Sequence, residues 1–200
     1  MADRLVIATA NKGKLAEVIR IIGAGYDLLT IDGFEGIEMP EEDGETFIDN
    51  AAIKAIAVAR QTGLPALADD SGLQVDALGG RPGVYSARFG APEAKDDIDR
   101  YRLLLSLMAD VPEGLRSARF VSAVALATPV GLVCAAEGKC EGKVIFEPRG
   151  DRGFGYDPVF VPLGMDRTYA ELDAAEKDAI SHRRRALEAL LPSLRSFFGR

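Results

Sequence analysis

Two adjacent carboxylates, Asp69 and Asp70, end an apolar run that begins at Pro65. Ionised carboxylates at the end of a buried strand are costly unless a cation or hydrogen bonds offset them. Successive side chains of a strand point to opposite faces, so only one of the two is expected to face a binding cleft. We choose Asp70 for that position and expect Asp69 to brace nearby backbone. A turn or helix cap that uses these residues and Ser71 is an equally common arrangement.

The segment Thr9-Ala10-Asn11-Lys12-Gly13-Lys14 is a candidate phosphate site, because it stands where a predicted strand leads into a predicted helix. Free backbone N–H groups and the helix dipole favour an anion at such a junction. Gly13 permits close approach of the backbone, and Lys14 supplies a positive charge. The phosphate-loop pattern G-x-x-x-x-G-K-[ST] is absent, so an ordinary turn with solvated lysines is the alternative.

The acidic stretch Pro40-Glu41-Glu42-Asp43 is typical of a solvated loop when it is considered alone. Magnesium binds oxygen ligands and commonly takes one or two carboxylates together with substrate phosphates and water. If Asp70 is one ligand, a loop carboxylate such as Glu41 is the candidate for the second. The sequence therefore allows a Mg²⁺ site at Glu41 and Asp70.

Aromatic and cationic residues near the end of the chain are candidates for binding a base. The stretch Phe154-Gly155-Tyr156-Asp157 offers a ring for stacking, glycine for close approach and a polar end for hydrogen bonding. Its alternative is a surface loop with a buried ring. Lys177, His182 and Arg183 cluster further on, although a lone histidine beside arginines is usually part of a solvated face.

Hydrophobic periodicity places these residues on strands and helices. Helical spacing predicts helices over 14–22, 45–62 and 96–108 and a closing helix through 187–194, while β-rich runs predict strands over 4–9, 26–31, 65–70, 118–128 and 132–139, the last two joined as a hairpin. In the 45–62 helix, Thr46, Asn50 and Lys54 form a polar stripe separate from the apolar one. Near the end, the start of a helix is marked either by the capping-box pair Asp173 and Glu176 or by Ser181.

The order of elements predicts a single α/β domain over residues 1–200, with a mixed central sheet flanked by helices and two lobes that enclose a central cleft. A hydrophobic content of 48% is that of a packed protein, and a net charge of −7 argues against a broad nucleic-acid-binding surface. No apolar run is long enough for a signal peptide core or a membrane span, so we expect a cytoplasmic protein. Cys134 and Cys140 are expected to be free thiols.

Five of these stretches, in this order, resemble the inosine triphosphate pyrophosphatase family, whose members remove nonstandard purine triphosphates from nucleotide pools. The resemblance covers almost the whole chain. The matching stretches are ATANKGK (8–14), ETFIDNAAIKA (45–55), ADDSGLQVDALGGRPGVYSARF (68–89), GFGYDPVF (153–160) and EKDAISHRRRAL (176–187).

The resemblance implies a homodimer and a Mg²⁺-dependent hydrolase that converts ITP, dITP or XTP into the monophosphate and pyrophosphate. It assigns phosphate binding to residues 9–14 and Lys54, catalysis and metal binding to Asp70, and metal binding to Glu41. Ser71 would touch the substrate. The residues expected around the base and sugar are Phe154, Gly155, Tyr156, Asp157, Lys177, His182 and Arg183.

Two other functions fit parts of the sequence. A nucleotide pyrophosphatase of the septum-formation type shares the fold with other base preferences, but that group lacks a stretch matching SHR at 181–183. A nucleotide-sensing or RNA-binding module would hold phosphate without hydrolysis. The net negative charge of the chain and the Asp69-Asp70 pair count against this function.

Overall fold

A computed structural model describes residues 3–23 and 25–200, and its six described strands form one mixed sheet in the order β2-β1-β3-β4-β5-β6. β1 runs parallel to both β2 and β3, and β5 runs antiparallel to β6. The predicted α/β class and mixed sheet are therefore confirmed. The strands are β1 (Arg4–Ile7), β2 (Asp27–Thr30), β3 (Ala66–Val75), β4 (Ser117–Thr128), β5 (Gly131–Val144) and β6 (Phe160–Pro162).

The described α-helices begin at polar caps or directly after another helix. Asn11 caps α1 through the backbone N–H of Lys14, and Asp173 and Glu176 form a capping box at the start of α4. The next helix begins directly after Ser181, so both of the helix starts considered from the sequence exist. The helices are α1 (Lys12–Ile22), α2 (Phe47–Thr62), α3 (Asp97–Leu107), α4 (Ala174–Ile180) and α5 (His182–Phe197). None of these described helices is long and apolar enough to cross a membrane.

The third strand is longer than predicted. β3 continues to Val75, so the predicted end at Asp70 is wrong, and the two carboxylates lie inside the strand. Beyond them Leu73 and Val75 are buried and restore the apolar character of the strand. The polar residues interrupt the hydrophobic pattern in the sequence without ending the backbone hydrogen-bond ladder. The predicted end of β5 at Lys139 is wrong for a similar reason, because the strand runs to the buried Val144.

The chain divides into two compact units, where two lobes were predicted; the predicted cleft stays a prediction. Unit 1 comprises Met1–Asp70, Ser122–Gly138 and His182–Arg200, and unit 2 comprises Ser71–Val121 and Lys139–Ser181. The core of unit 1 packs apolar residues of β1, β3 and β4 against α1 and α5, with Leu5, Leu67, Val124, Leu187 and Leu190 among them. The core of unit 2 is rich in aromatic residues, including Phe120, Tyr156, Phe160 and Tyr169.

A single glycine sets how closely β5 approaches the first turns of α5. A Cβ on the buried Gly138 would collide with the backbone of His182 and Ala186. We expect Gly138→Ala to lower the free energy of unfolding by about 1–3 kcal/mol, the usual cost of overpacking. Urea denaturation followed by circular dichroism measures this. Gly114→Ala is the matched control, since a Cβ there meets nothing within 4 Å; equal effects of the two substitutions would contradict the packing argument.

Candidate active site

The two carboxylates of β3 belong to consecutive residues in the buried part of unit 1. Pairing of Val6 with Ala66 and of Ile7 with Leu67 places this part of β3 beside β1. Asp69 and Asp70 are each only 4% exposed. Successive positions of a strand face opposite sides of the sheet, and the two side chains indeed have different cationic partners. Each carboxylate is therefore the centre of its own polar group.

The Asp70 group is formed by the polar stripe of α2. Lys54 Nζ lies 3.0 Å from Asp70 Oδ1, and Asn50 Nδ2 donates to Asp70 Oδ2 over 3.3 Å. Lys54 also donates to Glu42 Oε1 over 2.9 Å. The stripe that the sequence predicts for α2 thus delivers both side chains to one carboxylate. Lys54 brings Glu42 and Asp70 together by contacting both.

The acidic loop presents Glu42 to this group instead of the predicted Glu41. Glu41 is exposed, whereas Glu42 is half-buried against Lys54. Asn50 holds the end of the loop as well, because its Oδ1 accepts a hydrogen bond from the backbone N–H of Gly44 over 2.8 Å. The sequence gives no signal that separates two adjacent glutamates in a loop, so the position of Glu42 emerges only from the fold.

The Asp69 group contains residues from four parts of unit 1. Arg183 donates to Asp69 through Nε at 3.1 Å and Nη2 at 3.3 Å, and Lys14 Nζ lies 2.9 Å from Asp69 Oδ1. Ser122 donates its hydroxyl to Asp69 over 2.5 Å, and Arg183 also contacts Glu17 through Nη1. These partners of Asp69 are all side chains, and the backbone-bracing role that we expected for Asp69 stays a prediction. Ser122 and Glu17 were not predicted, because each is distant in sequence from its partner.

The two carboxylates have opposite pKa shifts. Burial alone would raise the pKa of Asp69, but the charges of Arg183 and Lys14 outweigh it and hold that pKa well below its usual range. Burial raises the pKa of Asp70, and the nearby charge of Lys54 reduces this rise without cancelling it. Asp69 therefore keeps its charge to lower pH than an ordinary aspartate, and Asp70 has the higher affinity for a proton.

The predicted phosphate segment lies at the junction of β1 and α1, as expected from the sequence. The backbone N–H of Asn11 donates to Thr9 Oγ1 over 3.2 Å, and Asn11 Oδ1 accepts from the backbone N–H of Lys14 over 3.0 Å. Ala10, Asn11 and Lys12 are exposed. The junction thus combines an accessible helix start with the ammonium group of Lys14.

The glycine-rich loop of unit 2 is organised around a buried ion pair. Lys177 Nζ lies 2.6 Å from Asp157 Oδ2, which also accepts a hydrogen bond from the backbone N–H of Phe154 over 2.9 Å. The ammonium of Lys177 lies 4.7 Å from the centre of the Phe154 ring. Tyr156 is buried, and its hydroxyl donates to the carbonyl of Ser86 over 2.9 Å. Within this loop Phe154 is therefore the half-buried ring, and Tyr156 supports it from the core.

The remaining predicted residues take more buried positions than their sequence context suggests. His182 is buried at the start of α5, and Arg183 is only 1% exposed, so the solvated face considered for them is excluded. Ser71 is half-buried next to Asp70 in β3, and Gly155 donates its backbone N–H to Asp97 over 2.7 Å. Substrate contacts of these residues stay predictions.

Comparison with known proteins finds close relatives of this sequence. Two relatives named dITP/XTP pyrophosphatase are close matches: that of Desulforamulus reducens is 50% identical over 98% of this chain and 97% of the relative, and that of Mycobacterium tuberculosis is 51% identical over the same shares. These relatives place the chain in the class of nucleotide pyrophosphatases.

The chain belongs to the Ham1 family, whose model matches residues 5–193. A HAM1 protein from Coxiella burnetii has a similar structure, with a TM-score of 0.86 and 41% identity over 96% of this chain and 98% of that one. A dITP/XTP pyrophosphatase from Mycobacterium abscessus matches with a TM-score of 0.73 and 46% identity over 94% and 99% of the two chains. The family resemblance predicted from the sequence is therefore confirmed.

The Asp70 group makes a testable electrostatic prediction. Because Lys54 lowers the pKa of Asp70 against the effect of burial, we expect Lys54→Met to raise that pKa further. A carboxyl ¹³C NMR titration of the metal-free, nucleotide-free protein measures it. Lys95→Met, which removes an exposed lysine of unit 2, should leave the pKa of Asp70 unchanged. An unaltered Asp70 titration in Lys54→Met would show that the ion pair does not form in solution.

Proposed function

We propose that this protein hydrolyses nonstandard purine nucleoside triphosphates, namely ITP, dITP and XTP, to the monophosphate and pyrophosphate. The names of relatives that are about half identical over nearly the whole chain support this substrate class. The observation that carries the proposal is the buried Asp70, which Lys54 holds next to Glu42 in unit 1. A proton-accepting carboxylate beside a fixed ammonium is what the hydrolysis of a phosphoanhydride needs.

Phosphate binding is assigned to the β1–α1 junction and Lys54. Residues 9–14 offer backbone N–H groups at the start of α1, and Lys14 adds a charge. An ammonium carries three N–H donors, so Lys54 can hold Glu42 and Asp70 and still donate to a phosphate oxygen. The two lysines therefore offer the triphosphate two separate positive charges.

A divalent cation fits the donor set of the Asp70 group. When ionised, the two carboxylate groups described above contain four negative side chains and three positive ones: Asp69, Asp70, Glu17 and Glu42 against Lys14, Lys54 and Arg183. A triphosphate adds several negative charges, so electrostatics favours a cation there. Among the described residues no three His, Cys, Asp or Glu side chains could hold a metal by themselves. We propose Mg²⁺, which commonly binds one or two carboxylates plus substrate phosphates.

Asp70 and Glu42 are the residues that would hold this Mg²⁺, and the predicted Glu41, which is exposed, is the alternative second ligand. When bound, the ion would neutralise phosphate oxygens and the leaving pyrophosphate. Asp70 orients a water molecule and accepts its proton, a role suited to a carboxylate whose pKa burial has raised. The water oxygen forms a bond to the α phosphorus while the bond between the α phosphorus and the bridging oxygen breaks. The electron pair of that bond leaves with pyrophosphate.

Recognition of the base and sugar is assigned to the glycine-rich loop with Lys177, and to Ser71, His182 and Arg183. Phe154 supplies the ring for stacking, and hydrogen-bond donors directed at the 6-oxygen of the base would reject the 6-amino group of adenine. A site made to bind one such group can discriminate by about 10⁴-fold. The homodimer, the cytoplasmic location and the absence of nucleic-acid binding stay predictions.

The reaction is tested by product analysis. Purified protein with MgCl₂ and a panel of purine triphosphates should release pyrophosphate, and no orthophosphate, from ITP, dITP and XTP at much higher rates than from ATP and GTP. Asp70→Asn should lower kcat by about 10²-fold or more, in line with the loss of a general base, and should leave the circular dichroism spectrum unchanged. Near-normal turnover by this variant would refute the role of Asp70.

The two adjacent glutamates provide a matched pair of variants for the metal site. Glu42→Gln should raise the Mg²⁺ concentration for half-maximal activity by about tenfold or more, because it removes a charged oxygen ligand next to Asp70. Glu41→Gln alters an exposed side chain of the same loop and should change this Mg²⁺ concentration by less than about twofold. The reverse result would restore Glu41 as the ligand and assign Glu42 to holding Lys54.

A further inference from the structure

Glu17 is a buried acid on a helix whose other charged residues reach solvent more easily. It is only 3% exposed, and it stands three residues after Lys14 on α1, so the two side chains share a face of the helix. Burying an ionised carboxylate is costly unless it is paired. The burial of Glu17 therefore needs an explanation, and neither the proposed chemistry nor the sequence motifs give one.

Arg183 is the partner of Glu17 and connects it to Asp69. The guanidinium contacts Glu17 through Nη1 and donates to Asp69 through Nε and Nη2. Burial alone would lower the pKa of Arg183, but the charges of Asp69 and Glu17 raise it, so the group remains charged at any physiological pH. Arg183 thus bridges two carboxylates inside unit 1.

Asp69 also pairs with Lys14, and Lys14 is the residue of this series that is closest to solvent. Asp69 Oδ1 lies 2.9 Å from Lys14 Nζ and 3.3 Å from Arg183 Nη2. The side chain of Lys14 is 15% exposed, against 1–4% for those of Arg183, Glu17 and Asp69. The cluster of Glu17, Arg183, Asp69 and Lys14 therefore has one accessible end, and that end is the ammonium assigned to phosphate.

We propose that Glu17 is a positioning residue for triphosphate binding, which acts through Arg183 and Asp69 to keep the ammonium of Lys14 in place. The inference rests on the proposed function, because it takes Lys14 as a phosphate ligand. Two cations share the carboxylate of Asp69, and Glu17 engages one of them from the other side. Arg183 already donates to both oxygens of Asp69, and its Nη2 shares Oδ1 with Lys14. Without the charge of Glu17, the guanidinium would be drawn further onto Asp69 and would compete more strongly with Lys14 for Oδ1.

The test measures binding of an α,β-imido analogue of inosine triphosphate, with MgCl₂, by isothermal titration calorimetry. Glu17→Gln keeps the size of the side chain and removes its charge. We expect the Kd of the analogue to rise by about tenfold, the usual scale for a lost charge-assisted contact. In steady-state assays KM should rise similarly while kcat changes by less than about threefold, because the chemistry of Asp70 is intact.

A double-mutant cycle with Lys14→Ala separates positioning from general destabilisation. In the Lys14→Ala background Glu17→Gln should raise the Kd by less than about twofold further, since the group it positions is gone. The same fold change in both backgrounds would overturn the proposal, because Glu17 would then act independently of Lys14. Glu188→Gln breaks an exposed Glu–Arg pair of α5 and is the control, with an unchanged Kd expected.

Two further results keep the test decisive. If Glu17→Gln does not fold, Glu17→Asp takes its place in the cycle, and an increase in Kd that persists without Lys14 again overturns the proposal. Release of pyrophosphate by the wild-type protein is measured first. If that release fails, the proposed function fails; if it succeeds and Glu17→Gln binds the analogue normally, only the role of Glu17 is refuted.

Discussion

Two ionised carboxylates at consecutive positions of one buried strand are the constraint on which the rest of unit 1 depends. Neighbouring residues of a strand face opposite sides of the sheet, so their contact partners differ, although the charge of Lys14 lowers the pKa of both carboxyl groups. Asp69 and Asp70 accordingly have separate partners, Arg183 with Lys14 for the first and Lys54 for the second. An unpaired buried carboxylate would cost several kcal/mol. The helices that pack against β3 must therefore place cationic side chains next to these two carboxylates.

This requirement explains which faces of the helices are polar. α2 buries Ala51, Ala55 and Val58 in the core and turns Asn50 and Lys54 to Asp70. Core packing alone favours apolar side chains and does not account for a buried lysine. Such a position is stable here because burial, which lowers the pKa of Lys54, is outweighed by the charges of Asp70 and Glu42, which raise it. Packing and electrostatics thus act on the same helix.

Local features were predictable from the sequence, and long-range pairings were not. The helical period of α2 shows that Asn50 and Lys54 share a face, and the strand-to-helix order places Lys14 at the start of a helix, a position that favours anions in general. By contrast Asp69 and Arg183 are 114 residues apart, and Glu17 and Arg183 are 166 apart. No periodicity connects such residues, so the cluster around Asp69 appears only when α1, β3 and α5 have packed together.

The buried ionic groups of the two units, each considered by itself, differ in composition. In unit 2 the buried pair of Asp157 and Lys177 is neutral, and it braces the loop that presents Phe154 without adding net charge. A neutral brace suits an uncharged base, whose binding depends on shape and hydrogen bonds. In unit 1 the groups contain accessible ammonium charge beside carboxylates, and such a surface suits a polyanion that arrives with a cation.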